Sequence, residues 1–580
     1  MKMKKQINKN YLWSKLFVDF LHQCGVKEVC ISPGSRNTPL IISFSENTKI
    51  KKHVLVDERS SGFFALGLAK ASGNPVAIVT TSGTAVAELY PAIIEAYFQK
   101  VPLIICTADR PHYLRNSGAN QTINQENIYK NHIRFFADLG LPEIKLNNFL
   151  ILKKTLEKAF HIIHSEYIGP IHFNLPFEKP FEPSNFTDSI DVRVLNKINF
   201  EFSKPLSFPQ QIISRTSTKV FKIISGAKRI LILSGENFDK EEKLFLSKIA
   251  AHLSSPIIAG ILSSVRLQNK SNIIRNAASF LRSSQIKNLI EPDLIIQFGY
   301  APTSNNILDF FANSSAKKIA VNIFNEKYDP SLTTNVSLKT SAKEFYSQIK
   351  IKTAPRKDDV YLKLLKNIDA QAEIMKKNFI KLHSTLFEWK VYSSLLSNIL
   401  PSSNLMLSNS LPVRDFDFIT SIKKNINVFS NRGASGIDGI ISTTAGIFQA
   451  TNKRTFLAIG DLAFYYDINS LWLLKRYKIP LTIILINNNG GGIFELLPIA
   501  NENVEFQKYF KTPVNINFKK LVEAFDGNYY SVSSSSEFNE IFKKISGSKN
   551  FSVIEVKVNS IKSKNSRIEF WKLLEKNIQV

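Results

Sequence analysis

Runs of three to six apolar residues, rich in Val and Ile and separated by amphipathic stretches of helical length, recur along this chain. Residues 29–32 (VCIS), 54–56 (VLV), 76–80 (VAIVT) and 103–106 (LIIC) form one group, with helical stretches at 62–71 and 85–97. A strand with one wet face alternates apolar and polar side chains. These runs are apolar at successive positions and need cover on both faces. Parallel strands joined by crossover helices supply it, so the pattern predicts an α/β fold of doubly wound, mainly parallel sheets.

The alternation restarts at 230–233 (ILIL), 256–259 (PIIA) and 294–297 (LIIQ). It returns a third time at 458–460 (AIG) and 481–486 (LTIILI), with a helix expected over 467–477. A chain of 580 residues exceeds what one core can organise. We expect three domains, at residues 1–185, 195–355 and 385–580. A Pro- and Phe-rich stretch, 176–209, reads as a linker, and a polar helical stretch, 358–382, leads into the third domain. Ligands of such sheets gather beyond the carboxyl ends of the strands, and the chain's polar and glycine-rich motifs fall there.

Composition narrows the function classes. Hydrophobic residues make up 44% and aromatics 11%, a globular balance. No apolar run reaches the roughly 18–20 residues that span a bilayer. The basic start MKMKK is followed by QINKN rather than by an apolar stretch, which argues against a secretory signal. Cys24, Cys30 and Cys106 form no CxxC pair, which suits a reducing cytoplasm. His161 and His164 lie one turn apart without a carboxylate or thiol nearby, so an ordinary helix face is expected there. The formal net charge of +27 raises a nucleic-acid hypothesis. That charge is mostly dispersed lysine, with no RNA-binding motif and no finger spacing, so a solvated coat and no nucleic-acid partner are expected.

The densest chemistry lies at residues 484–494, ILINNNGGGIF, where three asparagines and three glycines follow a buried run. Asp461 ends the preceding strand, and Asn488 stands 27 residues later at the end of the next. Neighbouring strands would bring a carboxylate and an amide oxygen to one sheet edge, donors that suit a hard cation such as Mg²⁺. Glycines 490 to 492 would let backbone close on a phosphate. A plain turn with Asn and Gly in left-handed conformations is the alternative, and spacing alone leaves both open.

Gly460-Asp461 followed by Asn487-Asn488 resembles the metal–diphosphate motif of thiamine-diphosphate enzymes, with Leu462 where Gly is commoner. Glu58, in VLVDERSSGFFALGLAKASG (54–73), stands where that family's glutamate meets the cofactor's aminopyrimidine ring. Longer blocks narrow the match: ISPGSRNTPL (31–40), TSGTAVAELYPAIIEA (81–96), TADRP (107–111), GANQTINQ (118–125), NSLPVRD (409–415), SNRGASGIDG (430–439) and NNNGGGIFELLP (487–498). They are similar to the branch of the family that joins 2-oxoglutarate to isochorismate in menaquinone biosynthesis.

The resemblance implies a thiamine-diphosphate-binding fold with pyrimidine-binding, central and diphosphate-binding domains. It implies a homodimer or homotetramer with active sites between subunits, and thiamine diphosphate with Mg²⁺ (or Mn²⁺) as cofactors. Glu58 would be catalytic. Asp461, Asn488 and the Gly490 carbonyl would hold the metal. Ile437 would wedge the cofactor, with Ile493, Phe494 and Leu497 as apolar surroundings, although all four read equally well as plain core. Both substrates are dicarboxylates, and guanidinium grips carboxylates in pairs of bonds. Ser410 and Arg414 would serve 2-oxoglutarate. Ser35, Arg36, Arg110, Asn120 and Gln121 would serve isochorismate or the cofactor pocket, and Arg432 both substrates. One departure is Asn305-Asn306, where related chains often carry a basic pair; either a nearby lysine such as Lys317 or Lys318 substitutes, or one carboxylate is gripped less strongly.

Another thiamine-diphosphate carboligase would share Glu58, Asp461 and Asn488, but would not need four arginines in its pocket. A nicotinamide dehydrogenase is disfavoured, because no G-x-G-x-x-G follows an expected strand.

Overall fold

The computed structural model describes residues 3–578 apart from 166, 187, 207, 209–216, 238–240, 325, 384 and 421–423. Eight strands form in the first third of the chain: Lys4–Ile7 (β1), Glu28–Ile31 (β2), Lys51–Val54 (β3), Val76–Thr80 (β4), Leu103–Asp109 (β5), Phe135–Asp138 (β6), Ile171–Pro176 (β7) and Asp188–Asp191 (β8). Then come Ile230–Ser234 (β9), Ile257–Ala259 (β10), Ile273–Ile274 (β11), Leu294–Phe298 (β12), Lys317–Asn322 (β13) and Val336–Lys339 (β14). The last six are Asn404–Leu407 (β15), Asn427–Phe429 (β16), Thr455–Gly460 (β17), Thr482–Asn487 (β18), Asn528–Val532 (β19) and Ser552–Lys557 (β20).

These strands build three six-stranded sheets, parallel at every pairing. The orders are β3-β2-β4-β5-β7-β6, β11-β10-β9-β12-β13-β14 and β16-β15-β17-β18-β20-β19. The first and third share one permutation, and the second has another. With the helices between their strands, the sheets make the α/β fold of parallel sheets expected from the sequence. Strands β4 and β5 are buried at every residue, as the continuous apolar runs require.

The chain divides into two compact units. One comprises Met1–Gln211, Asn431–Asn452 and Tyr466–Ile479 and holds the first sheet. Its core includes Phe17, Phe20, Phe44, Phe160 and Phe173. The helix Glu58–Ser72 is buried continuously from Ser60 to Ala69, with Asp57 as its N-cap and left-handed Gly73 closing it. It packs on the helix Ile440–Thr451 at a crossing tight enough for backbone to meet backbone. A Cβ on Gly67 would lie 2.1 Å from the Thr443 carbonyl oxygen, and one on Gly446 2.1 Å from that of Phe64.

The other unit comprises Ile212–Ser430, Lys453–Tyr465 and Pro480–Val580 and holds the second and third sheets. Within it a continuous core runs from Leu231, Ile258 and Ile295 to Leu405, Ile484 and Ile554. The polar helix forms as Val360–Leu382, burying Tyr361, Leu365, Ile368 and Phe379.

Several local expectations shift. The strand expected at 54–56 lies earlier, because β3 pairs Lys51–Val54 with Glu28–Ile31 and leaves Val56 62% exposed. The helix expected over 85–97 is two, Thr84–Glu88 and Tyr90–Phe98, with Pro91 in the first turn of the second. The stretch read as a linker carries β8, which pairs antiparallel with β1, and the helix Val192–Ser203, whose Ile198 and Phe202 join the first core. Its last residue, 209, lies outside the described residues. Among the described residues, no helix is long and apolar enough to cross a membrane. All three cysteines are free and buried.

Candidate active site

At the third sheet, β15, β17 and β18 are neighbours, so their carboxyl ends share one edge. Asp461 follows β17 directly and is 2% exposed. Its carboxylate accepts the N–H of Leu462 and that of Gly490, both at 2.8 Å. Burial pushes its pKa up, while those two N–H groups and the Lys511 charge pull it back. Asn488 Oδ1 is buried with no hydrogen-bond partner. A buried carboxylate and an unbonded amide oxygen that follow adjacent strands are donors of the kind a hard divalent cation takes.

The glycines answer to a different neighbour than the sequence suggested. Gly490 takes φ +121°, and a Cβ there would lie 2.0 Å from the Lys511 carbonyl oxygen. One on Gly491 would lie 2.6 Å from the Phe510 carbonyl oxygen, and one on Gly492 2.5 Å from the Asn488 amide nitrogen. The chain's own backbone occupies that clearance, and Gly491 N–H donates to the Lys511 carbonyl at 2.7 Å. Lys511 ends a π-helical turn, and its ammonium pairs with Glu495 at 3.1 Å, both side chains nearly sealed from solvent. Ile493 and Phe494 are half-buried and Leu497 is 44% exposed, so none of them is core.

Ser410 follows β15 with φ +72°, immediately before the helix Leu411–Ile419. Arg414, on that helix, donates to the Ser410 carbonyl at 2.7 Å, and burial lowers its pKa. Two buried guanidiniums grip the same helix. Arg266 donates to the carbonyls of Asp417 and Thr420. Arg567 pairs with Asp415 at 2.7 Å and with Glu388 at 3.4 Å.

The first sheet has its own edge, where Glu58, Ser35, Arg36 and Arg110 follow β3, β2 and β5. Glu58 opens its helix half-buried. Burial raises its pKa, the backbone N–H at the helix start counters, and the negative charges of Asp57 and Glu88 raise it further. Arg36, 8% exposed, donates to the Phe177 carbonyl at 2.7 Å and lies over the Phe181 ring. Burial, with repulsion from Arg110, brings its pKa down to about 10. The nearby Asp109 charge acts in the opposite sense.

Arg110 donates to the Asn120 carbonyl, and Ser82 to that of Gln121. The side chains of Asn120 and Gln121 are themselves exposed. The buried member of that block is Gln125, which accepts the Gly83 N–H at 3.0 Å and donates to Asn174 at 2.9 Å. Asn174 in turn donates to Asp109 and Asp138, both ion-paired with Arg115.

The block 431–439 belongs to the same unit. Asn431 is buried, while Arg432 and Ile437 are half-buried. Glu95 accepts the N–H groups of Gly433 and Ala434, each at 2.7 Å. Sequence reasoning passed over Glu95, Gln125 and Lys511. A single carboxylate inside the apolar helix Tyr90–Phe98 was the available signal for Glu95. Lys318 does not replace the missing basic pair. Its ammonium is spent on the Ala312 and Ser314 carbonyls and the Thr333 hydroxyl, and Asn306 donates to the Ala278 carbonyl.

Comparison with known proteins adds two findings. Residues 13–128 match the N-terminal TPP binding domain of thiamine pyrophosphate enzymes, and residues 421–556 the C-terminal one. The chain is also similar to proteins named 2-succinyl-5-enolpyruvyl-6-hydroxy-3-cyclohexene-1-carboxylate synthase. That of Bacillus pumilus is 34% identical over 93% of each chain. That of Oceanobacillus iheyensis is 34% identical over 97% of each. That of Listeria innocua is 34% identical over 98% of this chain and 97% of its own.

Proposed function

Because the chain belongs to the 2-succinyl-5-enolpyruvyl-6-hydroxy-3-cyclohexene-1-carboxylate synthase family of thiamine-diphosphate enzymes, we propose the reaction that this name describes. 2-Oxoglutarate loses CO₂, its succinyl unit adds to isochorismate, and one proton is taken up, a transferase reaction of menaquinone biosynthesis. The observation that carries this reading is the third-sheet edge, where Asp461 and the orphaned Asn488 oxygen end adjacent strands.

Thiamine diphosphate supplies, when bound, the electron sink for the decarboxylation. The chain's residues bind, orient and manage protons. Glu58 holds a proton at the pyrimidine ring, a task suited to a half-buried carboxyl with a raised pKa. Asp461, Asn488 and the Gly490 carbonyl hold Mg²⁺ or Mn²⁺, which neutralises diphosphate charge. Ile437, Ile493, Phe494 and Leu497 line the cofactor with apolar surface. Ser410 and Arg414 bind the 2-oxoglutarate side. Ser35, Arg36, Arg110, Asn120 and Gln121 bind isochorismate, and Arg432 serves both.

The domains are residues 1–185 for the pyrimidine, 195–355 as the central domain and 385–580 for the diphosphate and metal. We infer a cytoplasmic homodimer or homotetramer in which two copies hold each cofactor jointly. Exposed Val56 and Leu497, beside residues assigned to the cofactor, support that assembly.

The test mixes protein, thiamine diphosphate, Mg²⁺, 2-oxoglutarate and isochorismate and follows the coupled product by mass. Product from 2-oxoglutarate and none from pyruvate is expected. Turnover of pyruvate alone would reassign the enzyme to another carboligase.

A further inference from the structure

The loop 431–439 is held at both ends by the first-sheet part of its own unit. At its start, the Glu95 carboxylate receives two consecutive N–H groups, from Gly433 and Ala434, one on each oxygen and each at 2.7 Å. Glu95 is 3% exposed and sits on the otherwise apolar helix Tyr90–Phe98. At the loop's other end, a Cβ on Gly439 would fall 1.9 Å from the Phe63 ring, on the helix that Glu58 begins. Two successive N–H groups on one carboxylate make a directional, charge-assisted grip, and a buried carboxylate with no such partners would be costly. Gly433 is packed so closely that a Cβ would lie 2.7 Å from the Glu95 carbonyl oxygen.

We propose that Glu95 is a positioning residue for the coupling reaction, its carboxylate fixing the 431–439 loop and so the placement of Arg432 and Ile437. The inference rests on the function proposed above, which assigns those two residues to substrate and cofactor. Glu95 touches neither; it acts through the loop.

Glu95→Gln keeps the shape but turns one acceptor into an N–H₂ that faces an N–H. Thiamine diphosphate affinity in Mg²⁺, titrated by calorimetry, is expected to fall at least tenfold, and the KM for isochorismate to rise by a similar factor. The thermal midpoint without cofactor should move by only a few degrees. Glu95→Asp, which keeps both acceptor oxygens, should recover part of both losses. Gly433→Ala attacks the same contact from the loop side and should reproduce the Glu95→Gln phenotype, and the double variant should be no worse than either single one.

Wild-type affinity and KM in a folded Glu95→Gln protein would overturn the proposal. So would additive losses in the double variant, or insolubility of both single variants, which would mark a folding contact. Failure of the wild type itself to bind thiamine diphosphate would instead overturn the proposed function.

Discussion

Glu58 and Arg414 carry the most direct predictions at the scale of single residues. Glu58→Gln removes a proton-holding group while preserving volume at the start of a helix whose cap, Asp57, is untouched. Turnover should fall by orders of magnitude while circular dichroism and the thermal midpoint stay near wild type. Arg414→Ala deletes a half-buried guanidinium whose pKa burial lowers. Loss of a charge-assisted pair worth about 1.5–3 kcal/mol should raise the KM for 2-oxoglutarate more than tenfold, read from initial rates at saturating isochorismate. Both stand in motifs that mark them in the sequence, and the structure places each on a helix that follows a strand, partly buried. Lys511 was not legible, since a lysine among so many carries no mark until the fold buries it beside Glu495. The glycines of 490–492 were legible as a close approach, but sequence could not tell a phosphate from the backbone of Phe510 and Lys511.

Among elements, the helix Ile440–Thr451 starts from Gly439 and has no side-chain cap of its own. Asp467 supplies it from a neighbouring segment, accepting the N–H groups of Ile441 and Ser442, with Arg59 3.8 Å away. Burial nevertheless pushes the Asp467 pKa up to about 6. A folded-state pKa above the unfolded value means that the native protein binds the extra proton. This group's contribution to stability is therefore greatest at acid pH and declines as pH rises from about 4 to about 6. Asp467→Asn should remove that decline, roughly 2–3 kcal/mol, measured as the difference between wild-type and variant urea curves at pH 4.5 and 7.5. The crossing beneath it makes a steric prediction. Gly446→Ala must push against the Phe64 carbonyl, and should cost about 1–3 kcal/mol in the same assay. The strands show where sequence reading stopped. β6, β14, β16 and β19 lie at sheet edges with mixed, half-exposed patterns. The interior strands that escaped, β7, β13, β15 and β20, each bury polar residues such as His172, Lys318, Asn404 and Glu555. A buried polar group breaks an apolar run, and only tertiary hydrogen bonds reveal why it is tolerated.

At the scale of the whole molecule, the C-terminal helix Ser560–Asn577 is tied to the rest of its unit through Arg567. Arg567→Ala would strand Asp415 and Glu388 as buried charges, and should cost about 3–5 kcal/mol in equilibrium unfolding. The three-sheet plan was readable over the full length, because buried parallel strands leave continuous apolar runs whatever their order. The order itself was not readable, since strand permutation leaves no local trace in composition. Sheets one and three repeat a single permutation around a middle sheet built on another. The shared permutation sets β4 and β17 at matching interior places, so the motif that follows each opens from a strand braced by a neighbour on both sides.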